Sequence, residues 1–228
     1  MHRAYLNPLP TGGLLDSKTA HRFTRILRLK TGDKIELFDG EGHIMRAQLE
    51  LLDTPKLLNT ETFDVEPEQP QITLYQALVS MEKLEFITQR CTELGLSKLV
   101  LFKAEHSQVD FKNKLEAKLE RLKRIAQDAS RQSGRAWVPK IVFSPSPLEG
   151  EGWGEGLFIG NPKASTGFRV KPGMTQIGVL IGPEGDFSPQ EFESFKSQGA
   201  KAVRLAPNIL RTETASLTAL AQNQGALL

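Results

Sequence analysis

The sequence predicts an α/β chain led by a small β-rich domain, and three observations carry that expectation. From Ile72 onward, short apolar runs alternate with amphipathic stretches at helical spacing, as in strand–helix–strand units. Before Glu66 the apolar runs are instead of strand length and separated by turn residues, with a single helical segment among them. Between the two regions lies Glu66-Pro67-Glu68-Gln69-Pro70-Gln71, a polar link punctuated by proline. The expected domains are therefore 1–68 and 72–228.

In the first domain, a helix begins at Asp16 or Ser17, either of which can cap it. It shows Lys18, Arg22 and Arg25 on one side and turns Phe23, Ile26 and Leu27 towards the core. Strands are expected over Lys34 to Phe38 and Ile44 to Leu51, on either side of the turn Asp39-Gly40-Glu41-Gly42, with a later strand near Glu61 to Val65. Together they suit a small barrel.

The second domain opens with a strand over Ile72 to Leu78, a helix over Glu82 to Thr92 stopped at Gly95, and a strand over Lys98 to Phe102. A long helix follows, in which Leu115, Leu119, Leu122, Ile125, Ala126 and Ala129 form an apolar stripe. From Lys112 to Arg135 there are eight basic residues against three acidic ones. Such a segment is either a solvated helix face or a patch that attracts phosphate, and taken alone it favours the first. Leu157 to Gly160 is a short apolar strand ending at Asn161-Pro162. The flanking stretches 144–156 and 168–175, rich in Gly and Pro, read as surface loops.

Residues 177–215 are the most informative part of the chain. A strand stops at Gly182, Pro183, Glu184 and Gly185, leaving backbone groups unpaired at the carboxyl end of a sheet, where α/β proteins bind ligands. The next helix start is well specified. Ser188 caps, Pro189 fits the first helical position, Glu191 completes a capping box, Phe187 and Phe192 suit a hydrophobic staple, and Gly199 ends the helix. A second strand, Ala202 to Leu205, leads through Ala206-Pro207-Asn208-Ile209-Leu210-Arg211 into the last helix. Two ligand loops then face one edge, and Asn161-Pro162 supplies a third. Neither G-x-x-x-x-G-K-[ST] nor G-x-G-x-x-G occurs, which disfavours a triphosphate or a dinucleotide.

Ile181-Gly182-Pro183-Glu184-Gly185, a capped helix, and then Ile209-Leu210-Arg211-Thr212-Glu213-Thr214-Ala215 resemble the RsmE family of SPOUT RNA methyltransferases, which methylate N3 of a uridine in 16S ribosomal RNA. His21-Arg22 with Arg25-Ile26-Leu27-Arg28-Leu29-Lys30 and Gly32-Asp33, the run Gln89 to Gly95, and Gln132 to Arg135 with Pro139 are similar to further blocks of that family, in the same order. The resemblance implies a trefoil-knotted SPOUT domain holding S-adenosylmethionine, preceded by a PUA-like β-barrel that binds RNA. It also implies a homodimer acting on 16S RNA of the small ribosomal subunit.

The residues that the resemblance assigns to the cofactor are Leu180, Gly182, Pro183, Glu184, Gly185, Leu205, Ile209, Leu210, Thr214 and Ala215. Arg211 would stabilise negative charge on the uracil oxygens, because a guanidinium is a permanently charged fork. Glu213 would assist removal of the N3 proton, or would simply be a favourable charge in the first turn of the last helix. Arg22, Arg25, Arg28 and Arg135 are the candidate phosphate contacts. The chain departs from the family pattern at Ser80-Met81, His106, Asp186, Ala206 and Asn208. A retargeted enzyme and a non-catalytic RNA-binding assembly protein therefore stand as alternatives.

No apolar run approaches membrane-spanning length and the first residues lack an apolar leader core, so a cytoplasmic protein without membrane contact is expected. Cys91 is the only cysteine, which excludes an internal disulfide, and neither it nor the four histidines stand at metal-ligand spacing. It reads as a small buried helix residue.

Overall fold

The computed structural model describes residues 1–52, 55–111, 114–147, 156–168 and 173–224. Lys112 and most of the expected loops, at 148–155 and 169–172, lie outside the described residues. The chain forms two compact units, one of Met1–Pro67 with Ser130–Val138 and one of Glu68–Ala129 with Pro139–Leu228.

The first unit is built on a four-stranded sheet, β1 (His2–Tyr5), β2 (Lys34–Phe38), β3 (His43–Glu50) and β4 (Lys56–Asp64), in that spatial order. β1 runs parallel to β2, and the other pairs are antiparallel. Alternate residues point inward, so Ile35, Leu37, Ala47 and Leu49 pack with Phe23 and Leu29. Helix α1 (Ser17–His21) starts at Asp16, whose carboxylate accepts the N–H groups of Lys18 and Thr19 at 2.9 Å. It continues as a π-helical turn over Arg22–Ile26.

That turn corrects one sequence expectation. Phe23 is buried and Leu27 packs on the core, but Ile26 is 69% exposed. The wider turn carries Ile26 off the inward face, and the chain then leaves the helix at Arg28 with φ of 54°. Arg135 is corrected as well. It is only 8% exposed, and the Arg3 guanidinium donates to its carbonyl at 2.9 Å, so its side chain is turned inward rather than shown to a phosphate.

The second unit holds a parallel six-stranded sheet of order β10-β8-β9-β5-β6-β7. Its strands are β5 (Gln71–Ala77), β6 (Leu96–Phe102), β7 (Lys140–Phe143), β8 (Leu157–Gly160), β9 (Gln176–Ile181) and β10 (Lys201–Val203). The helices are α2 (Met81–Glu93), α3 (Leu115–Ser133), α4 (Pro189–Ser197) and α5 (Thr212–Gln224). The central strands are near-continuous apolar runs, as a parallel sheet covered on both faces requires. Gln76 is the polar exception, fully buried in β5.

Local chemistry explains the helix ends near the loops. Ser188 and Glu191 make the expected reciprocal capping box at α4. Phe187 and Phe192 pack on one cluster, but the ring contacts of Phe187 are with Phe195, edge to face at 5.1 Å, and Phe102, stacked at 6.2 Å. On α3 the buried apolar positions are Leu122, Ala126 and Ala129, one stripe of the expected apolar face, beside the buried Ser130. Cys91 is buried in α2, and burial pushes its thiol pKa up. No described helix is long and apolar enough to cross a membrane.

Candidate active site

Strands β10, β8 and β9 are neighbours and all parallel, so the loops that follow them leave the same edge of the sheet. They meet around a cavity of about 370 Å³, within the ~300–1,000 Å³ typical of small-molecule sites. Gly160, Asn161 and Pro162 come from the loop after β8, and Gly182, Pro183, Glu184 and Asp186 from the loop after β9. Leu205, Ala206, Asn208, Ile209, Leu210 and Arg211 come from the loop after β10, with Thr212 and Ala215 at the start of α5 and Lys83 from α2.

A buried hydrogen-bond chain ties these loops together. Thr212 Oγ1 donates to the Gly182 carbonyl at 2.8 Å and accepts from Gln76 Nε2 at 3.0 Å. Ser216 Oγ lies 2.6 Å from Gln76 Oε1, to which it donates. Outside this chain, His106 Nδ1 sits 3.0 Å from the carbonyls of both Gly185 and Asp186. Both partners are acceptors, so that nitrogen carries the proton. Asp186 stands in the left-handed region at φ of 61°, a conformation that glycine adopts more readily, and its carboxylate accepts the Phe187 N–H at 2.8 Å.

Charge gathers at the mouth. Lys83 Nζ donates to Glu184 at 2.7 Å and lies 3.7 Å from Glu213 Oε2. The hydrogen bond to Glu184 holds the Lys83 pKa above its usual range. Burial pulls the Glu184 carboxyl upward, but hydrogen bonds from Lys83 and the backbone outweigh it and the net shift is downward. Glu213 Oε2 is buried and has no hydrogen-bond partner among the described residues. Arg211 is exposed at the rim.

Of the residues expected at the cofactor, Gly182, Pro183, Glu184, Leu205, Ile209, Leu210 and Ala215 line the cavity, together with Arg211. Three do not. Leu180 is fully buried in the sheet core, Gly185 backs onto His106, and Thr214 faces outward on α5. Glu213 is not on the wall but reaches Lys83 beside it. Sequence reading missed Lys83, Asp186 and Asn208 as wall residues, although Lys83 follows a strand of the same sheet. Arg22, Arg25 and Arg28 are exposed in the first unit.

The apolar cavity suits a cofactor with a polar edge. Among the described residues, the N–H groups of Gly182, Ile209 and Leu210 have no protein acceptor, leaving backbone donors at the wall.

A parallel sheet with a loop-built pocket, attached to a small β-sheet unit, is the architecture of a SPOUT-type RNA methyltransferase with a PUA-like domain. The family described as RNA methyltransferase domain matches residues 66–224, and that described as RNA methyltransferase PUA domain matches residues 15–58. The chain belongs to the RsmE family of SPOUT RNA methyltransferases. It is 30% identical to ribosomal RNA small subunit methyltransferase E of Buchnera aphidicola, over 90% of this chain and 85% of that one. The Neisseria gonorrhoeae enzyme of the same name, solved bound to S-adenosylmethionine, is 30% identical with a TM-score of 0.84, covering 99% of this chain and 98% of that one. A Legionella pneumophila methyltransferase solved with the same cofactor is 27% identical, also with a TM-score of 0.84, covering 98% of this chain and 97% of that one.

Proposed function

We propose that this chain is an S-adenosylmethionine-dependent methyltransferase of 16S ribosomal RNA in the small subunit, and that its target atom is N3 of a uridine. The observation that carries the reading is a cavity of about 370 Å³ with free backbone donors and with Arg211 on its rim. The two relatives solved with bound S-adenosylmethionine support the cofactor, and the names of the curated relatives support the RNA.

Gly182, Ile209 and Leu210 hold the cofactor through main-chain N–H groups, while Leu205 and Ala215 supply apolar wall. When bound, S-adenosylmethionine supplies an electrophilic methyl group. Uracil N3 carries a proton at neutral pH, so attack requires the proton to leave and the resulting negative charge to be stabilised. Arg211 places a permanent positive charge at the mouth for the uracil oxygens. Glu213, beside the wall and 3.7 Å from Lys83, assists removal of the N3 proton.

The first unit, residues 1–67 with 130–138, is the RNA-binding domain and the second the catalytic one, with the exposed Arg22, Arg25 and Arg28 gripping phosphates. The chain works as a cytoplasmic homodimer. Nucleoside mass spectrometry of 16S RNA from a strain lacking this protein tests the substrate. Loss of N3-methyluridine is expected, and an unchanged signal refutes it. Cofactor binding without any RNA methylation by the wild type would favour the non-catalytic alternative.

A further inference from the structure

A fully buried glutamine in the middle of an otherwise apolar parallel sheet is costly unless every polar atom is satisfied. Gln76 is 0% exposed, and its amide is satisfied on both ends. Nε2 donates to Thr212 Oγ1 and to the Ala77 carbonyl, both at 3.0 Å, while Oε1 accepts from Ser216 Oγ at 2.6 Å. These partners fix the direction of the chain. Thr212 Oγ1 receives the Gln76 proton, so its own hydroxyl proton goes to the Gly182 carbonyl at 2.8 Å. Thr212 opens α5 directly after Arg211, and Gly182 is the first residue of the loop after β9.

We infer that Gln76 is a positioning residue that locks the Gly182 loop to the start of α5, and thereby sets Arg211 relative to the bound cofactor. It touches neither cofactor nor RNA and acts through Thr212. The inference rests on the proposed methyl-transfer reading and adds to it a residue outside the cavity wall. Without the amide, nothing fixes the direction of the Thr212 hydroxyl, which can then turn away from the Gly182 carbonyl, and the two halves of the site relax independently. A misplacement on the order of 1 Å costs about 100-fold in rate where catalysis is mainly positioning. The cofactor, held largely by backbone N–H groups of each loop separately, is affected less.

The test compares wild type with Gln76→Met and Gln76→Glu in cofactor titrations and single-turnover methylation of small-subunit RNA. Gln76→Met keeps the volume and removes the hydrogen bonds. It is expected to lower the transfer rate at least tenfold while cofactor affinity stays within about threefold, against the tenfold that one lost interaction of 1.36 kcal/mol corresponds to.

Gln76→Glu gives a signature that a merely structural role would not. A neutral carboxyl can donate to Thr212 and accept from Ser216, whereas an ionised one cannot donate, and burial raises its pKa. The variant should therefore transfer methyl at low pH and lose the rate as pH rises, with a titration that the wild type lacks. Equal rates for Gln76→Met and wild type, or a Gln76→Glu profile that parallels wild type, overturn the inference while leaving the proposed function standing. A wild type that binds no S-adenosylmethionine overturns that function itself. If Gln76→Met fails to fold, the Gln76→Glu pH profile decides.

Discussion

Replacing Arg211 with alanine separates chemistry from folding more cleanly than any other single change. The residue is exposed, sits one position ahead of α5, and uses its carbonyl to accept the Ala215 N–H at 2.8 Å, a bond that alanine keeps. Among the described residues its side chain makes no ion pair or hydrogen bond, so its removal strands no partner. Surface changes of that kind alter stability by no more than about 0.5 kcal/mol. Removing a preorganised donor aimed at developing negative charge costs about 100–1,000-fold in turnover, or ~2.7–4 kcal/mol of barrier. Single-turnover methylation, thermal melting and cofactor titration of Arg211→Ala should therefore show the rate falling by that factor with the other two unchanged. Arg211→Lys should recover only part of the rate, since an ammonium lacks the planar fork. An unchanged rate, or a collapse of cofactor affinity instead, would refute the role given to this side chain.

Two further outcomes follow from the ionisable groups. Cys91 is buried and its thiol is pushed up by desolvation, so the native protein should resist alkylation at neutral pH and react only on unfolding; rapid native labelling would contradict that burial. In the first unit, the side-chain hydrogen bond to Asp39 at 2.6 Å raises the His43 pKa above its usual value of 6.5. Because the folded value is the higher one, the contribution to stability is fully present below the unfolded pKa and is lost as pH rises through the folded one. Ring-proton NMR titration should find the elevated value in wild type, and Asp39→Asn should lower it. A value unchanged by that substitution would contradict the pairing.

Much of this architecture was readable because its signals are local. Gly, Pro and a capping box mark where β9 ends and α4 begins, and these are short-range steric and hydrogen-bonding demands that leave residues such as Gly182, Pro183 and Ser188 in plain sight. What was misplaced or missed depends on distant partners. Lys83 joined the site only because β5 lies beside β9, a strand order that no local pattern reveals. Arg135 reads as a surface cation in the sequence, but its segment belongs with the first unit, where Arg3, 132 residues away, donates to its carbonyl. Thr214 failed for a geometric reason. On α5 it is turned about 200° from Thr212, so the two cannot face one cavity. Leu180 reads as pocket because it precedes the loop, but it is still inside the strand and spends its side chain on the core.

The most direct test of the central claim is calorimetric titration of the purified protein with S-adenosylmethionine, repeated on Gly182→Val. A Cβ at that position comes within 3.3 Å of Asp186 Oδ1, and both residues line the cavity, so the added bulk disturbs its wall. One cofactor bound per chain by the wild type, and none by the folded variant, is the expected result. Absence of binding by folded wild-type protein, or full affinity in Gly182→Val, would contradict a cofactor site formed by the loops after β9 and β10.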